Sequence, residues 1–227
     1  MSYRPLLKIC GVTNTDDARL VSRSGADYCG ILVDVVISKR SLSLDQAKQI
    51  ATASTIPVVM LMCDPKLETV ITVDRTIRPF AIQLLCRESP EFIMDVKNNT
   101  SCKIWKTIHL PALSGQASFQ DYVDANVDAL LVDSMDTGDG FERLGGTGKV
   151  GDWEAALQVV RKSAVPVFLA GGIGPHNVAD ALFEVRPFGI DLCSGVEAIK
   201  GRKDPIKLSA LVDNFKNAID EIQRKET

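Results

Sequence analysis

The chain has 227 residues, 45% of them apolar and 24% charged, with 26 basic against 29 acidic side chains for a net charge of −3. Average globular usage is about 45–50% apolar and about 25% charged, which excludes a disordered chain, a collagen and a coiled coil. There is no basic surplus to hold a nucleic acid or an anionic membrane surface.

The longest apolar run, Pro57 to Cys63, is far short of the ~20 residues that span a bilayer. Met1 to Cys10 contains no apolar signal core. The expectation is a soluble, cytoplasmic protein with neither nucleic-acid nor membrane partners.

Eight short runs rich in apolar and β-branched residues follow one another: Leu6–Cys10, Tyr28–Val33, Pro57–Cys63, Phe80–Leu85, Lys103–Ile108, Ala129–Ser134, Pro166–Gly171 and Gly189–Ser194. They are continuously apolar rather than alternating, as strands covered on both faces should be. Between them lie helical patterns at Asp16–Val21, Leu44–Ile50, Lys66–Val73 and Ser114–Val123. Two further helices are expected to open at Ser89-Pro90 and at Gly174-Pro175, and Trp153, Ala156, Leu157 and Val160 mark the inner face of another. Asp204-Pro205 supplies an N-cap and first helical residue ahead of Leu208, Leu211, Val212, Phe215, Ile219 and Ile222. Strand starts 22 to 37 residues apart, with a helix in each gap, predict an α/β fold: one (β/α)₈ TIM barrel spanning 1–227. An open doubly wound sheet is the alternative, and would use fewer strands.

Barrels of this kind build their sites where the strands end. Those positions hold Cys10-Gly11, Gln83, Asp133-Ser134, Gly171-Gly172, Asp191 and Ser194-Gly195. Glycine turns let backbone N–H groups approach an anion, and the loops after strands 7 and 8 are where barrels commonly hold phosphate. Cys10 is either a packed thiol or a nucleophile or base. Asp133 and Asp191 interrupt apolar runs, where an isolated carboxylate is costly unless paired or functional. The segment from Gly140 to Asp152 is a flap over the mouth or an ordinary surface loop.

The six cysteines show no zinc spacing and are expected as buried free thiols in a reducing compartment. His109 and His176 read as solvated or capping residues. No metal site, G-x-S-x-G elbow or G-x-G-x-x-G fingerprint is present, so neither a metal nor a dinucleotide cofactor is expected.

The segments Leu7-Lys8-Ile9-Cys10-Gly11-Val12-Thr13, Ser38-Lys39-Arg40, Leu130-Leu131-Val132-Asp133-Ser134, Gly145-Gly146-Thr147-Gly148 with Asp152-Trp153, and Ala170-Gly171-Gly172 form a pattern. The run from Val185-Arg186-Pro187-Phe188-Gly189 through Asp191 to Ser194-Gly195-Val196-Glu197 and Lys203-Asp204 completes it. Together they resemble the phosphoribosylanthranilate isomerase family of tryptophan biosynthesis, essentially from end to end.

The resemblance implies a cofactor-free Amadori rearrangement of an aminoaldose 5-phosphate to a 1-amino-1-deoxyketose, by a monomer or homodimer. It places the general base at Cys10, the general acid at Asp133, and an anthranilate-binding arginine at Arg40. Gln83 and Asp191 then contact the substrate, and Gly171, Gly172, Ser194 and Gly195 hold its phosphate.

Three segments depart from the family: Asp34-Val35-Val36-Ile37, Leu61-Met62-Cys63-Asp64, and Gln83-Leu84-Leu85-Cys86, where the family has Q-L-H-G. Gly151 also stands where a Phe is usual. These changes sit on the ring-binding side of the mouth. Two alternatives therefore remain: a relative acting on another phosphorylated aminosugar, and a catalytically silent ligand-binding barrel.

Overall fold

Strands without a polar face must be covered on both sides, and all eight runs form parallel strands between a packed interior and a layer of helices. The computed structural model describes residues 3–110, 112, 115–136, 143–144 and 152–226. The strands are β1 (Leu6–Ile9), β2 (Tyr28–Val33), β3 (Val58–Met62), β4 (Ala81–Leu84), β5 (Lys103–Leu110), β6 (Ala129–Asp136), β7 (Val167–Leu169) and β8 (Gly189–Leu192). Each pairs in parallel with its neighbours in sequence, and β1 pairs with both β2 and β8, which closes the barrel. No sheet edge is left at the barrel wall, and the open-sheet alternative is set aside.

Eight helices wrap the strands: α1 (Thr15–Ser24), α2 (Leu44–Ala53), α3 (Leu67–Ile77), α4 (Pro90–Asn99), α5 (Phe119–Asp124), α6 (Trp153–Lys162), α7 (Val178–Val185) and α8 (Pro205–Lys225). Their starts follow capping chemistry. Ser43 and Ser118 form capping boxes with Gln46 and Asp121. Ser89 and Asp204 cap helices that begin at proline.

Two starts differ from expectation. The α5 helix begins at Phe119, where the Ser118 hydroxyl accepts from Asp121 N, later than the expected start at Ser114, which lies outside the described residues. The α7 helix begins at Val178 rather than at Gly174-Pro175. Asn177 accepts from Gly174 N at 2.8 Å and donates to Gly172 O at 3.0 Å, holding the preceding residues in a turn. No helix among the described residues is long and apolar enough to cross a membrane.

Strand alternation divides the apolar residues into two clusters. Leu7, Ile9, Ile31, Met60, Ile82, Ile104 and Leu130 face the helices. Leu32, Val59, Leu61, Ala81, Trp105, Leu131 and Phe168 fill the barrel, together with Cys10.

Two expectations are corrected. Cys63 and Cys86 are not free thiols: they form a disulfide between the ends of β3 and β4, where the closed barrel brings positions 23 apart in sequence side by side. His109 is neither solvated nor a cap. It is the third inward residue of β5, buried, with Nε2 2.8 Å from Leu85 O. Among the described residues Cys10, Cys29, Cys102 and Cys193 are free. The expected flap, Gly140–Asp152, lies outside the described residues except for 143–144 and Asp152.

Candidate active site

Along β1 the inward positions are Leu6, Lys8 and Cys10, and along β8 they are Gly189, Asp191 and Cys193. The register pairs Lys8 with Asp191, and Cys10 N donates to Leu192 O at 2.8 Å. Two polar layers result. In the lower layer Lys8 Nζ stands 2.9 Å from Asp191 Oδ1, with the lysine fully buried. Burial alone would lower the Lys8 pKa, but the Asp191 carboxylate and the Cys10 sulfur raise it above the ordinary lysine value. A fixed ammonium therefore sits directly beneath Cys10.

Gly30 makes room for this arrangement on β2. A Cβ there would lie 3.0 Å from Cys10 Sγ and 3.2 Å from Lys8 Nζ.

In the upper layer Cys10 and Cys193 stand side by side at the ends of the paired strands β1 and β8. The neighbouring Cys193 sulfur and burial push the Cys10 thiol well above its ordinary value. The Cys10 sulfur, helped by Lys203 and Arg40 against the cost of burial, draws Cys193 down to about 7.

Behind the cysteines a buried charge network ties three segments together. Arg40, carried by the β2–α2 loop, donates from Nε and Nη2 to both carboxylate oxygens of Glu197 at 2.8 and 2.6 Å. Lys203 Nζ donates to Cys10 O at 2.6 Å and Cys193 O at 3.2 Å, and lies 3.4 Å from Glu197 Oε1. Glu197 and Lys203 pair within the short hairpin that follows β8. Two of the three guanidinium nitrogens of Arg40 thus donate to Glu197.

The glycine turns after β7 and β8 touch. A Cβ on Gly195 would fall 2.1 Å from Ile173 O, so only glycine allows this approach. Gly171 and Gly172 take φ of 86° and 66°, the left-handed region that favours glycine. Ser194–Val196 is a single 3₁₀ turn. The anticipated phosphate residues Gly171, Gly172, Ser194 and Gly195 are therefore gathered on one side of the mouth.

Asp133 lies inward near the end of β6, separated from β1 by β7 and β8, and faces the mouth from the side opposite β2. Gln83 is buried on β4. Its Nε2 donates to Thr107 Oγ1 at 2.9 Å, and its Oε1 has no hydrogen-bond partner among the described residues.

Every anticipated site residue stands on the C-terminal half of a barrel strand or in the loop that follows one. Sequence reading missed Lys8, Cys193 and the Glu197–Lys203 pair as working parts. For Lys8 a signal existed: a lysine at an inward position of an apolar strand needs a partner.

The family model for N-(5'-phosphoribosyl)anthranilate (PRA) isomerase matches residues 7–214. An N-(5'-phosphoribosyl)anthranilate isomerase from Methanocella arvoryzae is 37% identical over 201 residues, covering 87% of this chain and 92% of the relative. The crystal structure of phosphoribosyl anthranilate isomerase from Thermotoga maritima superposes with a TM-score of 0.78 at 28% identity, covering 94% and 100% of the two chains. A further isomerase structure, solved with reduced 1-(o-carboxyphenylamino)-1-deoxyribulose 5-phosphate, gives a TM-score of 0.74 at 26% identity over 94% of this chain and all of the other.

Proposed function

Since the chain belongs to the PRA isomerase family, we propose that it isomerises N-(5'-phosphoribosyl)anthranilate to 1-(2-carboxyphenylamino)-1-deoxyribulose 5-phosphate in tryptophan biosynthesis. The observation that carries this reading is the convergence, at one end of a closed barrel, of a thiol, a carboxylate and two touching glycine turns. The relative solved with the reduced product supports the ligand class.

In this reading the turns at Gly171-Gly172 and Ser194-Gly195 hold the phosphate by backbone N–H groups, and Arg40 binds the anthranilate carboxylate. Asp191 has one oxygen on Lys8 and offers the other to a sugar hydroxyl. Gln83 Oε1 accepts from a second hydroxyl. Protonated Asp133 donates to the furanose ring oxygen and opens the ring to an iminium. Cys10 as thiolate then removes the proton from C2, and the resulting enolamine tautomerises to the ketone. The iminium nitrogen takes up the electron pair, so the chemistry calls for no cofactor.

The altered segments on β2, β3 and β4 keep a second substrate in view, another phosphorylated aminosugar. The Cys63–Cys86 disulfide belongs to that side of the mouth. Complementation of a tryptophan auxotroph lacking this isomerase tests the assignment. Growth with the native gene and none with Cys10→Ala is expected. Failure of the native protein to support growth, with phosphate binding retained, would point to the other aminosugar.

A further inference from the structure

The Cys63–Cys86 disulfide and the neighbouring Asp64 take no part in the chemistry derived above. Their two sulfurs and a carboxylate oxygen lie within 4.8 Å of one another, just past the ends of β3 and β4. A separation of 23 residues is not a zinc motif; the cluster exists because the closed barrel sets these two strands side by side.

The backbone that carries the three groups is fixed without help from the disulfide. Buried Glu88 accepts from Cys86 N and from Asp64 N, each at 2.9 Å. Lys106, fully buried, donates to Glu88 Oε2 at 2.9 Å and to Cys86 O at 2.7 Å. Asp64 Oδ1 accepts from Arg87 N at 2.9 Å and so ties the loop after β3 to the loop after β4. Cleaving the sulfur–sulfur bond therefore leaves two thiols side by side next to a carboxylate.

We propose that Cys63, Cys86 and Asp64 form a redox-gated site for a thiophilic divalent cation of the zinc type. The site is closed while the disulfide stands and opens once a dithiol reductant has cleaved it. It is independent of the isomerase reading.

In the reduction two electrons pass from the reductant, whose own thiols leave joined as a disulfide, and each protein sulfur gains a proton. Binding the cation then releases both protons to solvent, because the thiolate is the ligand. Two thiolates at about 2.3 Å from a tetrahedral zinc stand about 3.8 Å apart, a separation that both side chains reach by turning. The Asp64 carboxylate has lone pairs enough for Arg87 N and for the metal, and water completes the fourth position. Sulfur donors favour zinc over magnesium or calcium. The nearby Lys106 ammonium is matched by Glu88 at 2.9 Å, so it does not oppose a cation. Cys86 is buried and Asp64 exposed, which lets the cation enter past the carboxylate.

Cobalt(II) is the probe, because thiolate ligands give it a near-ultraviolet charge-transfer band and a tetrahedral site gives it strong visible bands. The full chain is titrated with cobalt before and after anaerobic reduction, with the reductant removed. A count of thiols in denaturant should rise from four to six on reduction. Cys10 and Cys193 are free in both states, so the oxidised protein is the control for them. The thiolate–cobalt band should appear on reduction, saturate at one cobalt per chain and bleach when zinc displaces the cobalt. Asp64→Asn, which keeps both cysteines, should bind zinc about tenfold or more weakly in competition with a chromophoric chelator, since even residues behind a ligand contribute that much. No new band on reduction would overturn the proposal. So would a band of equal strength in reduced Cys63→Ser/Cys86→Ser, or an unchanged zinc affinity in Asp64→Asn.

Discussion

At the N-terminal end of the barrel the interior is filled by Tyr28, Phe80, Trp105 and Phe168. Trp105 and Phe168 stack with centroids 4.8 Å apart, and Tyr28 stands edge-on to Trp105 at 5.3 Å. Toward the C-terminal ends of the strands the interior holds Lys8, Gln83, Thr107, His109 and Asp191, with Cys10 and Cys193 at the ends of β1 and β8. Gly189 belongs to the first region, where a Cβ would strike the Phe168 ring at 2.4 Å. Gly30 belongs to the second, where the space it leaves goes to a lysine and a thiol. One end is an aromatic plug that needs no partners. At the other, charges are buried only where a specific counter-group or an expected ligand meets them. Stability and chemistry are thus segregated along the barrel axis, and substitutions at the two ends should fail differently.

The sharpest break is at the plug. Trp105→Ala should cost about 3–5 kcal/mol in urea unfolding, the range for deleting a buried aromatic side chain, with the product-analogue affinity of the folded fraction retained. Lys8→Met tests the polar end. It strands a buried carboxylate and should cost about 3 kcal/mol or more by the same measurement. Adding Asp191→Leu should return most of that stability, because a buried pair replaced by apolar groups is often neutral, but should restore no turnover.

Arg40→Ala should weaken a carboxylate-bearing product analogue by about 1.5–3 kcal/mol in calorimetry and leave inorganic phosphate binding nearly unchanged. Equal losses for both ligands would assign Arg40 to the phosphate or to structure alone.

The smallest effect concerns pH. Burial would push the Glu197 carboxyl up, but the Arg40 fork and the Lys203 ammonium outweigh it and hold Glu197 below the usual carboxylate range. A depressed carboxyl contributes stability in full above its unfolded value, about 4.3, and loses it as pH falls through the folded value. Glu197→Gln should therefore flatten the stability profile below about pH 4.

Most of the barrel was legible in the chain because its strands are covered on both faces and its helices open with local chemistry. Asp204-Pro205 and Ser89-Pro90 announce α8 and α4 without reference to anything distant. Gly174-Pro175 misled for a local reason too: Asn177 closes its side chain onto Gly172 and Gly174 and delays α7 to Val178. Cys10, Asp133 and Asp191 were legible as polar or reactive groups at the ends of apolar runs. What stayed hidden depends on long-range pairing. Arg40 meets Glu197 across 157 positions, and Cys63 meets Cys86 only because β3 and β4 are adjacent. His109 looked peripheral because it stands just past an apolar run, but β5 extends to Leu110 and turns it inward.

The central claim, that the polar end performs acid–base chemistry through Cys10 and Asp133, is tested most directly by kcat and product-analogue Kd for Cys10→Ala, Asp133→Asn and the double variant. Each single substitution should lower kcat by at least ~10², the usual contribution of a general acid or base, while Kd changes little. The double variant should lose less than the product of the two, because either loss already stalls the same rearrangement. A Cys10→Ala protein within about threefold of native kcat would contradict the account and return Cys10 to the packed interior, since a true base contributes ~10² or more.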